Sequence, residues 1–153
     1  MLVVAAVLGG CTTVDPGPNF VIPNQTFNEN FFYCAVEPQL IFGKKCGSGD
    51  PGDKGACHFN SSAVSGMALL DHPPVDCGGG TTPVDGTLTG LGSPARANYT
   101  SVSLEMSRDY LTAAIYVRPS GLTLTSSPTG HPRVIYETTD PVVDVIRQWA
   151  AKP

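Results

Sequence analysis

Cys57 and His58 stand side by side, and Cys46 precedes them with ten residues between the two cysteines. A thiol is a nucleophile and a soft ligand, and an imidazole is the commonest metal ligand among side chains. On consecutive residues they put both kinds of donor on one short stretch of backbone. The intervening GSGDPGDKGA is glycine-rich and polar, so it can bulge outward and still bring Cys46 beside Cys57. Such a bulge costs little, since each doubling of loop length adds only ~0.6 kcal/mol of closure entropy. Two other chemistries compete. A Cys46–Cys57 disulfide would close the short loop, worth ~2–3 kcal/mol in the chain-entropy account, and leave His58 at the surface. Zinc held by Cys46, Cys57, His58 and Cys77 has the right ligand types but no C-x-x-C. Asp50 and Asp53 place carboxylates at calcium-loop spacing without the bidentate Glu of an EF-hand, so a solvated loop is the expectation there. Gly78-Gly79-Gly80 lacks the spacing and lysine of a phosphate loop, and Ser65-Gly66 does not form G-x-S-x-G. No nucleophile–base arrangement stands out, and no enzymatic activity is expected.

The chain that carries these residues has 153 positions, enough for one domain. Only 14% are charged, against roughly 25% in an ordinary soluble domain. Gly 17 and Pro 14 make up about a fifth of the sequence and announce long loops. A formal net charge of −4 and the lack of a Lys/Arg cluster argue against nucleic-acid partners. Five cysteines at this low charge fit an oxidising compartment or a covalent cofactor. Residues 1–10, MLVVAAVLGG, are too few to span a bilayer and fit the end of a signal peptide's apolar region. Leu8-Gly9-Gly10-Cys11 resembles the bacterial lipobox, which implies that Cys11 is lipidated and that residues 11–27 form a proline-bearing tether to a membrane. Thr12 is not the Asp that usually retains lipoproteins at the inner membrane, so the resemblance implies an outer-membrane lipoprotein on the periplasmic or cell-surface face.

The elements that must position the Cys-His pair are read as mostly α. Asn28 caps a helix running to Phe42, with Phe31, Phe32, Ala35, Val36, Leu40 and Ile41 as an approximate apolar stripe. Pro38 should kink or split it, and Gly43 ends it. Lys44 to Ala56 is loop. His58 to Leu70 is expected to be a short helix, with Val64, Met67 and Ala68 on one side. Asp71 to Pro94 is loop, Tyr99 to Met106 alternates like a strand, Arg108 to Val117 suits a helix, and Ser120 to Pro132 is loop. The final helix is the clearest: Asp140 caps it, Pro141 takes its first position, and Val142, Val145, Ile146 and Trp149 recur on one face. Cys34 and Cys77 are expected to pair with each other and tie the long loop to the first helix.

Several ordered segments resemble divergent bacterial cytochrome c domains. These are Cys34-Ala35-Val36-Glu37-Pro38-Gln39-Leu40-Ile41 with Lys45-Cys46, Ser65-Gly66-Met67-Ala68-Leu69, Tyr116-Val117-Arg118-Pro119-Ser120-Gly121, and Val145-Ile146-Arg147-Gln148-Trp149-Ala150. The matches span roughly residues 28–151. The usual C-x-x-C-H is replaced by an expanded C-x10-C-H. The resemblance implies a small cytochrome c-like helical domain with long loops over residues 28–153. It implies haem c attached through Cys46 and Cys57, His58 as the proximal iron ligand, and one-electron transfer to a transient protein redox partner. Candidates for the sixth iron ligand are Met67, His72, Met106 and His131. His131, just before the closing helix, occupies the place where related domains often carry their distal loop. Met67 and Met106 sit at apolar positions that suit a core, and His72 in Asp-His-Pro-Pro suits an exposed loop. The alternative is a haem-less, disulfide-stapled lipoprotein acting as a structural or interaction module.

Overall fold

Asn28 opens the first helix as its spacing predicts: its Oδ1 accepts from Phe31 N–H at 2.8 Å. The computed structural model describes residues 26–51, 57–62, 66–122 and 131–153. Helix α1, Glu29–Phe31, runs without a break into a π-helix, Phe32–Gly43. Pro38 lies inside that helix rather than breaking it. The wider i→i−5 winding, which closes on Lys44 N–H bonding Gln39 O at 3.1 Å, suits a residue that lacks an N–H and crowds the carbonyl four positions back. Phe32, Tyr33, Val36, Leu40 and Ile41 are buried along it.

Helix α2, Pro94–Leu104, replaces the strand that Tyr99–Met106 suggested. Ser93 Oγ accepts from Arg96 N–H at 3.2 Å, and Pro94 takes the first turn. Arg108–Val117 is not one helix. Asp109 starts a 3₁₀ turn, Tyr110–Thr112, which a bend at Ala113 separates from helix α3, Ala114–Val117. The described part of His58–Leu70 holds turns and extended backbone instead of a helix. Its backbone is engaged at long range, with Leu69 N–H on His58 O at 2.9 Å, which competes with local winding. The long loop after Leu70 is a loop, interrupted by a 3₁₀ turn at Gly86–Thr89, and Cys77 bonds Cys34 in a disulfide. Among the described residues every regular element is helical, and no helix is long and apolar enough to cross a membrane.

Helix α4, Pro141–Ala151, packs chiefly across the π-helix. Asp140 Oδ1 accepts from Val142 N–H at 3.0 Å, and Lys44 bonds Asp140 from the end of the first helix. Trp149 is fully buried, with ring centroids 5.2 Å from Phe27, 5.4 Å from Phe32 and 6.3 Å from Tyr99. Its indole N–H donates to Asn28 O at 3.0 Å, so the aromatic core is tied to the helix start by a directional bond. Phe27, the last position of the expected tether, is itself 2% exposed and belongs to this core. The expected signal, residues 1–10, and Cys11 lie outside the described residues.

Candidate functional site

Cys46 is delivered by the way the first helix stops. After Gly43, Lys45 turns with φ 55°, the left-handed region that side chains rarely adopt, and Gly47 N–H returns to Ile41 O at 3.3 Å. Two backbone bonds then lay this stretch beside the Cys-His pair: His58 N–H to Cys46 O at 3.1 Å and Phe59 N–H to Gly47 O at 3.0 Å. Gly47 is required there, because a Cβ would lie 2.3 Å from Phe59 Cζ. The backbone of Cys46 and Gly47 therefore runs beside that of His58 and Phe59. Cys46 and Cys57 both carry thiols and neither is in a disulfide. Burial pushes the Cys46 thiol up to about 12, and the neighbouring Cys57 adds to the shift.

His58 Nδ1 lies 2.6 Å from Met67 O. A carbonyl only accepts, so Nδ1 carries the hydrogen, and the lone pair of the neutral ring sits on Nε2. Burial holds the His58 pKa below its ordinary value and favours that neutral form. His131 repeats the arrangement, with Nδ1 2.6 Å from Arg133 O. The two imidazole rings lie with centroids 6.3 Å apart and planes within 23° of parallel. The carbonyl partners are the outer bonds that fix tautomer and ring orientation at metal sites.

The other sequence candidates fall elsewhere. Met106 is buried in the core, and Met67 offers its carbonyl to His58. His72 is not an exposed loop residue: its side chain is 8% exposed, and Nε2 lies 3.0 Å from Glu37 Oε1. Cys77 is spent in the disulfide with Cys34, so the four-ligand zinc set is not assembled. Among the described residues no three His, Cys, Asp or Glu side chains converge on one ion. Asp50 is paired with Arg133 at 2.7 Å and Lys45 at 3.1 Å, which hold its carboxyl below the usual range and leave it no calcium-loop geometry. Asp53 lies outside the described residues. Cys46, Cys57 and His58 thus stand on adjoining stretches of backbone, and the His131 ring lies 6.3 Å from that of His58.

A buried polar cluster that the sequence did not reveal stands behind the site. Glu37 and Asn98 are both fully buried. Asn98 Nδ2 donates to Glu37 Oε1 at 3.1 Å and to Leu70 O at 3.0 Å, while its Oδ1 accepts from Leu70 N–H at 2.7 Å. His72 Nδ1–H donates to Pro73 O at 2.7 Å. Burial pushes the Glu37 carboxyl up, and Asn98 and His72 pull it back down. The cluster pins the segment from Leu70 to Pro73, just beyond the Met67 carbonyl that orients His58. Phe42 joins the two regions, with ring centroids 5.6 Å from His72 and 6.3 Å from Phe59. The only sequence signal for it was a carboxylate set among the apolar positions of the first helix. Compared with models of protein families, with characterised proteins and with solved structures, the chain matches none.

Proposed function

We propose that the protein is a haem-binding electron-transfer lipoprotein of cytochrome c type, not an enzyme. The neighbouring imidazoles of His58 and His131, each with Nδ1 spent on a carbonyl, carry this reading. Cys46 and Cys57 would tether the haem by thioethers, His58 would be the proximal iron ligand and His131 the distal one. The haem supplies a one-electron couple, and two imidazoles set it at a lower potential than an imidazole and a thioether would. The chain's own Met67 and Arg133 carbonyls hold the two rings in one tautomer. Lipidation at Cys11 would hold the domain on the outer membrane, where a redox protein partner meets it through a small transient interface.

The test is expression in a periplasm with haem maturation factors, followed by a visible spectrum and acid-acetone extraction. A Soret band that survives extraction, with the low-spin form expected of two imidazoles, is the predicted result. A colourless protein in which Cys46 and Cys57 have closed a disulfide overturns it and leaves the stapled interaction module. Cys11→Ala should release the protein from membranes, and unchanged fractionation refutes the anchor.

A further inference from the structure

Asp50, in the expanded segment between Cys46 and Cys57, is tied to the stretch that bears His131. Arg133 makes two bonds at opposite ends. Its backbone carbonyl takes the Nδ1 hydrogen of His131 at 2.6 Å, and its guanidinium reaches Asp50 Oδ2 at 2.7 Å. Asp50 belongs to the inserted segment, and its other oxygen accepts from Lys45 Nζ at 3.1 Å, so one carboxylate is held from both sides of Cys46. Beyond Arg133, Ile135 N–H bonds Pro119 O at 2.7 Å and fixes the far side of the same stretch. The insertion and the segment bearing His131 are 83 residues apart along the chain at this contact. We infer that the Asp50–Arg133 pair is a clamp on the distal ligand: Asp50 and Arg133 are positioning residues that hold His131 beside His58 and set how readily an exogenous ligand displaces it. This rests on the haem reading above. The spacing that breaks the compact C-x-x-C-H thereby acquires a purpose, since two residues between the cysteines leave no room for a carboxylate reaching the distal side.

The clamp is partly exposed, with side chains 36% and 47% accessible, so it is a weak and salt-sensitive device. An exposed pair of this kind shifts an equilibrium by about two- to fivefold. The experiment titrates cyanide into the ferric haem protein and compares wild type with Asp50→Asn and Arg133→Gln at low and high salt. Cyanide should bind about two- to fivefold more tightly to both variants at low salt. Wild type should approach them as salt rises, and Arg133→Lys should recover part of the wild-type value. Unchanged cyanide affinity in variants that keep the Soret band overturns the clamp and leaves the haem reading standing. Should the chain hold no haem, that reading falls by itself. The clamp is then judged in the haem-free protein by amide exchange at Ile135, which Asp50→Asn should accelerate by a similar factor. Unchanged exchange overturns it.

Discussion

Asn98→Ala is the substitution through which the buried polar cluster can be weighed. Asn98 makes three hydrogen bonds from a fully buried position: two with the backbone of Leu70 and one to Glu37 Oε1. The Leu70 pair is only part-buried, so water recovers some of it. The bond to a buried carboxylate has no such replacement, and Glu37 Oε2 already has no hydrogen-bond partner among the described residues. Neutral bonds contribute about 0.5–1.5 kcal/mol each and a charge-assisted one about 1.5–3, so the variant should lose about 3–5 kcal/mol. That is a large share of the roughly 5–15 kcal/mol of an ordinary domain. The loss depends on pH, and its sign follows from Glu37. Its pKa is raised in the fold from the ordinary 4.5, chiefly by burial, so the folded state binds the proton more tightly and stability falls as pH rises above that value. Asn98 supports the charged form, so removing it raises the folded pKa further and widens the falling window. The titratable groups facing Glu37 are His72, on Oε1, and Tyr33, whose phenol burial and nearby carboxylates push up to about 12. Urea unfolding of wild type and variant between pH 4 and 8 measures both effects. A loss under about 1 kcal/mol, or the same loss at both ends of the range, refutes a charge-assisted Asn98–Glu37 bond of this strength.

Gly47→Ala should cost about 1–3 kcal/mol through the clash with Phe59, and Phe59→Ala in the same chain should recover much of it; additive losses in thermal unfolding would show that the two do not meet. Asp140→Ala should cost about 1 kcal/mol as a lost helix cap. The Asp140 carboxyl is held below 3.8, first by Lys44 and then by Val142 N–H, so its contribution is present above that pH and fades below it; wild type and variant should therefore converge in acid, and parallel curves down to pH 2 would refute the assignment. Reducing Cys34–Cys77, which closes 43 residues of separation, should cost about 2–4 kcal/mol, read as a lower unfolding midpoint in a Cys34→Ser/Cys77→Ser chain.

What could be read from the sequence was local. Asn28, Asp140 and Pro141 announce helix starts because capping needs only a side chain and the next turn. Ser93-Pro94 is the same signal, obscured by the run of Gly, Thr and Pro around it. Val102, Leu104 and Met106 read as a strand by alternation, yet Leu104 is 81% exposed, while Val102 and Met106 are buried at i and i+4. The His58–Leu70 helix is absent from the described part of that segment, where Leu69 N–H bonds His58 O at the far end of the segment instead of a carbonyl one turn back. The candidate residues Cys46, Cys57, His58 and His131 were legible as types, and so was His72, though as a possible iron ligand and not as the partner of Glu37. The contacts of Glu37, Asn98, His72 and Arg133 were not legible, because their partners lie 28 to 83 residues away.

Met67 has two roles that the sequence leaves merged, thioether ligand or core side chain. What Met67 gives His58 is a backbone carbonyl, which any residue but a chain-distorting one supplies equally. Met67→Leu conserves volume in a half-buried position packed on the core, so it should cost under about 1.5 kcal/mol. The His58 ring keeps its Nδ1 bond and hence its tautomer, and His131 stays beside it. In the haem-loaded protein the spectrum and the reduction potential should therefore be those of wild type. His131→Ala, by contrast, removes the second imidazole and should shift the ferric spectrum toward a high-spin form that binds cyanide freely. A Met67→Leu protein with an altered potential, beside an unaltered His131→Ala protein, would reverse the assignment and make the thioether the distal ligand.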